Sequence, residues 1–239
     1  MRSSNPPSAD ASPTPRERAT GSLREPLTLA LLALTFTAGM VDAISYLGLG
    51  RVFTANMTGN VVLLGFGIAH SGGLPVLAPL ISLGSFALGA GVGGLLGSKF
   101  ERRHTVHMSA AWTLQASLIA CATVLTAAVH PQAGSASRYV VIATLALAMG
   151  LQTATARRLA VPDLPTTVVT QTLTGLVGDS RLFGGSGKGT TRRGFAVAAM
   201  LGGAVAGALL LKASLVLALA LTGGLILLVQ IAYLPAARR

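Results

Sequence analysis

Asp42 is an acid set inside an apolar stretch, Gly39-Met40-Val41-Asp42-Ala43-Ile44-Ser45-Tyr46. Placing a charged side chain at membrane depth costs about 3 kcal/mol or more, unless it faces a bundle interior and finds a partner. Ser45 and Tyr46 follow at i+3 and i+4, so all three side chains share one helix face. Two kinds of chemistry fit. The carboxylate can relay a proton or cation or touch a substrate, or it can be a structural acid accepting from backbone N–H groups of the Asn56–Asn60 segment.

That segment is the second polar constellation: Asn56, Thr58 and Asn60 surround Gly59. Glycine permits a tight turn, and amide and hydroxyl side chains can satisfy freed backbone groups or bind a ligand. A third constellation lies far along the chain, with Thr166, Thr167, Thr170, Gln171, Thr172 and Thr174, and Asp179 at its exit. Gln115 and Gln152 add polar groups inside apolar runs. The plain alternative for all of these is interhelical hydrogen bonding, worth about 0.6 kcal/mol each on average.

Other chemistries lack their residues. The chain has seven acids, most in its tail or loops, and no Ser/His/Asp set or carboxylate pair, so it is not expected to be an enzyme. Cys121 is the single cysteine, and His70, His104, His107 and His130 lie near the ends of apolar runs without zinc spacing. Neither metal nor cofactor is expected. The loop Gly184–Thr190 (GGSGKGT) fails as a phosphate loop. Leu182 stands where glycine is required, and Gly189 stands where Ser or Thr must follow the lysine.

The elements that must hold these residues are membrane helices. The chain is 51% hydrophobic and only 10% charged, with a mean hydropathy of +0.67, whereas soluble domains carry about 25% charged residues. Its net charge of +11 sits in short clusters between long apolar runs, and aromatic residues are only 5%. That pattern fits positive loops flanking spans and offers no base-stacking platform, so nucleic acid is not an expected partner. Residues 1–25, rich in Pro, Ser and charge, read as a disordered cytoplasmic tail rather than a signal peptide.

Six stretches reach the roughly 20 residues a span needs: about 27–50, 75–98, 108–129, 138–156, 194–211 and 214–234. The last two form one apolar run broken at Lys212 by a tight hairpin. Val61–Ala69 and Thr166–Val177 are too short to qualify and read as re-entrant or half-helix segments. Charge supports this reading. With six spans and both termini inside, about 15 Lys/Arg lie on the cytoplasmic side and about 3 outside. If both short segments spanned, the split would fall to about 11 and 7.

The two halves also resemble each other. Gly39-Met40-Val41-Asp42-Ala43 lines up with Gly150-Leu151-Gln152-Thr153-Ala154, and Thr58-Gly59-Asn60 with Thr170-Gln171-Thr172, at offsets of 111–112 residues. Each half carries a small-residue stripe, Ser85, Gly89, Gly93 and Gly97 in one and Ala199, Gly203 and Gly207 in the other, which lets helix backbones approach closely. The expected fold is therefore an all-α polytopic helix bundle. A transmembrane domain over 26–236 holds an inverted repeat of three spans plus a short segment, about 27–129 and 138–234.

Gly39–Gly65, GMVDAISYLGLGRVFTANMTGNVVLLG, closely resembles the signature of the YoaK-like bacterial membrane proteins, a family defined by a domain of unknown function. The resemblance covers about residues 27–235. It is weaker in the second half, where Gln152-Thr153-Ala154 and Thr170-Gln171 depart from the family's Gln-Asn-Ala and Thr-Gly. It implies a multi-pass protein of a prokaryotic inner membrane and supplies no substrate.

The functional expectation is a transporter or channel for a small solute or ion. Its pathway would run between the two repeats, lined by Asp42, Ser45, Tyr46, Asn56, Thr58, Gly59, Asn60, Gln152, Thr170, Gln171 and Thr172. The alternative is a membrane scaffold or sensor acting through protein partners. Basic cytoplasmic loops suit anionic lipid headgroups, and the glycine stripes permit a homo-oligomer.

Overall fold

Long runs of Leu, Ala, Val and Gly with few charges form helices, because a helix satisfies every backbone polar group internally when no water is near. A computed structural model of the chain describes residues 26–100, 103–132, 134–159, 169–180, 184 and 189–236. The N-terminal tail, Thr166 and Thr167, and most of the Gly184–Thr190 loop lie outside the described residues.

Among the described residues eight helices follow in order: α1 (Pro26–Gly48), α2 (Met57–Ile68), α3 (Leu77–Lys99), α4 (His104–Val129), α5 (Ala136–Leu159), α6 (Val169–Gly178), α7 (Thr190–Ala213) and α8 (Leu215–Ala236). Six of them, all but α2 and α6, are long and apolar enough to cross a membrane. They match the six stretches read from hydropathy, and α7 and α8 are joined only by Ser214, as the break at Lys212 predicted. Large apolar side chains such as Leu88, Leu95, Leu201 and Ile231 point outward on these helices and are exposed. Outward apolar residues suit lipid rather than water.

Helix directions follow from the contacts. α1 packs on α7, and α3 on α5, at backbone-to-backbone distance. A methyl group at Gly39 would lie 2.9 Å from the Ala204 nitrogen, and one at Gly207 would lie 2.6 Å from the Met40 carbonyl oxygen. Gly203 is pressed in the same way against Phe36 of α1. These pairings advance together along both helices, so α1 and α7 run parallel. In the other pair, a methyl at Gly150 would lie 2.9 Å from the Ala90 nitrogen, and one at Gly93 would lie 2.8 Å from the Ala154 Cβ. α3 and α5 also run parallel. The small-residue stripes of α3 and α7 are therefore the surfaces that admit α5 and α1.

Arg138, at the start of α5, donates from Nε to the Leu49 carbonyl oxygen at 2.6 Å. This bond sets the start of α5, and with it the start of α3, at the face where α1 ends. α2 is 12 residues long, about 18 Å at 1.5 Å per residue, against about 30 Å for a hydrocarbon core. It runs antiparallel to α3: Asn60 near its start reaches Ser82, while Gly67 near its end abuts Leu74, Pro75 and Val76. The chain thus leaves α1, dips inward and comes back through α2 to the face it left.

Candidate functional site

The dip places Asp42 at its centre. Asp42 is 5% exposed and lies in α1, six residues before the helix ends. Its Oδ1 accepts from three successive backbone N–H groups, those of Thr54 (3.0 Å), Ala55 (2.7 Å) and Asn56 (3.3 Å). These groups precede α2 and belong to no helix, so without an acceptor they would be buried and unsatisfied. Asn56 caps α2 by accepting from the Gly59 N–H at 3.4 Å. The helix start is thus shared between two side chains, with Asn56 serving the first turn and Asp42 serving the approach to it.

Asn60 fixes the same non-helical approach from the other side. Its Oδ1 accepts from the Phe53 N–H at 2.9 Å, and its Nδ2 donates to the Phe53 carbonyl oxygen at 2.7 Å and to Ser82 Oγ at 3.1 Å. Ser82 Oγ donates in turn to the Phe53 carbonyl at 2.7 Å. The Phe53 ring stacks on Tyr46, centroids 4.8 Å apart at 22°. A methyl group at Gly59 would lie 2.7 Å from that ring, so glycine is needed there for close approach. Ser45 Oγ donates to the Asp42 carbonyl oxygen at 3.2 Å and receives Thr54 Oγ1 at 3.4 Å.

One atom in this network is left over. Asp42 Oδ2 is buried and has no hydrogen-bond partner among the described residues. Among the described residues no basic side chain pairs with the carboxylate. Asp42 also lines a cavity of about 440 Å³ between α1 and α7. Tyr46, Phe53 and Asn56 line it from the first half, and Met200, Val205 and Ala208 from α7. The site therefore sets an acid with one uncompensated, covered carboxylate oxygen, an amide and two aromatic rings along an open, otherwise apolar groove.

Of the residues singled out in sequence, Asp42, Ser45, Tyr46, Asn56, Gly59 and Asn60 are gathered into this one cluster. Thr58 is exposed on α2. Gln152 lies elsewhere: its Oε1 accepts from Gln115 Nε2 and its Nε2 donates to the Leu34 carbonyl oxygen at 3.1 Å, bracing α4, α5 and α1 together. On α6, Thr170 and Gln171 are exposed and Thr172 is buried; α6 packs on α7, and none of the three lines the Asp42 cavity. Arg193 of α7 holds the end of α6 by donating to the Gly175 carbonyl oxygen at 2.7 Å and pairing with Asp179.

Sequence reasoning missed Phe53, Thr54 and Ser82 as site residues. Phe53 and Thr54 directly precede the polar cluster, and Ser82 is a hydroxyl within an apolar span, which is a weak signal taken alone. In the second half Thr153 stands where Asp42 stands in the first, and it spends its hydroxyl on the Met149 carbonyl one turn back, at 2.9 Å.

A family described as "Protein of unknown function (DUF1275)" matches residues 30–232. The chain is also similar to the UPF0700 transmembrane protein YoaK of Bacillus subtilis (strain 168). The two are 39% identical over 163 residues, covering 65% of this chain and 68% of that protein. No solved structure matches the chain.

Proposed function

The chain belongs to the DUF1275 family of proteins of unknown function, and from that premise we propose that it is a non-enzymatic transporter or channel for a small solute or ion. Its pathway passes the Asp42 cavity, between two inverted repeats. The observation that carries this reading is the unpaired, buried Oδ2 of Asp42, a residue that lines the cavity. A purely structural acid needs one oxygen for the three N–H groups and gains nothing from a second one kept buried and unsatisfied. Intramembrane acids of this kind mark substrate and ion routes.

The inverted arrangement is supported by the correspondence of contacts. α1 meets α7 through Gly39 and Gly203, and α5 meets α3 through Gly150 and Gly89, positions related by offsets of 111 and 114 residues. α2 lies on α3 as α6 lies on α7, and α4 meets α5 as α8 meets α1. Three spans per half turn the second copy over, so the segment holding α6 enters from the face opposite α2. Transporters commonly set substrate sites at such repeat interfaces.

The proposed setting is a bacterial cytoplasmic membrane with both termini inside. Arg51, Arg138 and Lys212 lie at the end of the bundle where α1 finishes, whereas Lys99, Arg103, Arg157, Arg158, Arg192 and Arg193 lie at the other. The richer end faces the cytoplasm, where its basic groups suit anionic lipid heads. The glycine stripes that face neighbouring spans leave the outer surface to lipid or to a second copy.

A second reading, a scaffold or sensor that transports nothing, is favoured by how fully Asp42 Oδ1, Asn60 and Phe53 are used in packing. Flux into proteoliposomes across a panel of ions and small solutes separates the two. The transport reading expects flux for at least one solute, abolished by Asp42→Asn. No flux for any solute, together with an unchanged cellular phenotype in Asp42→Asn, supports the scaffold and ends the transport reading.

A further inference from the structure

We propose that the Asp42 cavity binds a protonated organic amine with an apolar body, whose ammonium group donates to Asp42 Oδ2. This inference rests on the transport reading for its physiological role but makes a binding claim of its own. The starting point is the unsatisfied oxygen, on a side chain 95% buried by its 5% exposure. A buried anion without a partner is costly, and an N–H-bearing cation supplies both the charge and the missing donor.

The walls decide between an inorganic and an organic cation. A hard metal ion seeks about six or more oxygen ligands or retained waters. Here the polar side chains are those of Asp42, Asn56 and Tyr46, while Ala43, Met200, Ala204, Val205 and Ala208 present hydrocarbon. Such a groove supplies far fewer oxygens than a hard ion needs in place of its water. An alkyl or aryl ammonium fits better. Its body buries against the aliphatic wall, and its charged head sits beside Tyr46 and Phe53, whose stacked rings favour a cation over their faces. The cavity volume of about 440 Å³ falls in the range of about 300–1,000 Å³ usual for small-molecule sites. Two residues of its rim, Leu47 and Val205, are 60% and 52% exposed on the outer flank of the bundle. The opening therefore lies on the apolar flank, where amphiphilic amines partition.

Asp42→Asn is a suitable probe. The asparagine Oδ1 still accepts from Thr54, Ala55 and Asn56, and only the free, charged oxygen is exchanged for an amide nitrogen. Ala208→Phe fills the cavity from α7 without touching any hydrogen bond of Asp42. The experiment is equilibrium dialysis of radiolabelled benzylamine against the full chain in zwitterionic nanodiscs, with empty nanodiscs subtracted. The expected result is saturable binding that unlabelled benzyl alcohol, sodium and potassium do not displace. Each variant should weaken it by about tenfold or more, as loss of a buried charge partner or of the cavity itself requires. Absence of saturable benzylamine binding, equal competition by benzyl alcohol, or unchanged binding in Ala208→Phe overturns the proposal. Asp42-dependent flux of an inorganic ion without benzylamine binding leaves the transport reading standing and removes this one. Benzylamine binding without flux of any solute does the reverse.

Discussion

Replacing Asp42 by alanine and by asparagine separates its two oxygens. Alanine removes the acceptor for the N–H groups of Thr54, Ala55 and Asn56, two of which are bonded at 3.0 Å or less. Thr54 and Ala55 are 0% and 2% exposed, so water does not replace the lost acceptor. Each stranded donor costs about 1–3 kcal/mol, or about 2–6 kcal/mol for the two short bonds. Relief from burying the unpaired Oδ2 offsets part of this, leaving a net loss of about 2–4 kcal/mol. Asparagine keeps the acceptor. It weakens the three bonds by removing their charge assistance but also removes the buried unpaired charge, so its net effect is within about 1 kcal/mol. Unfolding in mixed dodecylmaltoside–SDS micelles can be followed through Trp112, the only tryptophan, which is 1% exposed and set edge-on to Tyr233 at 5.2 Å. Amide exchange at residues 54–56 reports the local effect and should accelerate in the alanine variant alone. If the two variants unfold together and protect residues 54–56 equally, Oδ1 does not hold the approach to α2 and the site is misread.

Glycines in the paired helices should divide by their neighbours. Gly150→Leu would drive a side chain into Phe86 and Ala90 of α3 and prevent stable packing, whereas nothing lies within 4 Å of a methyl at Gly91, so Gly91→Ala should stay within about 1 kcal/mol of wild type in the same unfolding assay. Gln152→Leu removes the brace to Gln115 and Leu34 and should cost about 0.6–1.7 kcal/mol, the range found for interhelical hydrogen bonds in a membrane. A loss above about 4 kcal/mol would mean that this brace nucleates the bundle rather than trimming it.

Much of this architecture can be read in the residues themselves. Six spans follow from apolar runs long enough to cross, and their ends agree within a few residues, because charge and proline bound them as Pro26, Lys99 and Arg138 do. The short segment after Asn60 is legible through its length. The partners of Asp42 are harder. The sequence points to N–H groups within Asn56–Asn60, but Asn56 caps Gly59 and α2 claims the residues after it, so the N–H groups left for Asp42 are those of Thr54 to Asn56. Phe53 escapes notice because its role lies in its backbone, held by Asn60 and Ser82 from a distance of 7 and 29 residues. Gln152 looks like a second-copy match to the Asp42 face, yet its offset places it beside Gln115, where a neighbouring span supplies the nearest polar group. The cavity cannot be seen in sequence at all, since its far wall comes from α7, some 160 residues after Asp42.

The two short segments, α2 and α6, are proposed to enter from opposite sides of the membrane. Side-specific labelling tests this directly, with single cysteines at Ser71, just beyond the end of α2, and at Gln171 on α6, in a Cys121→Ala background, probed in intact cells by a membrane-impermeant maleimide. Ser71→Cys is expected to be labelled from outside and Gln171→Cys only after the membrane is opened. Labelling of both from the same side would contradict the inverted arrangement.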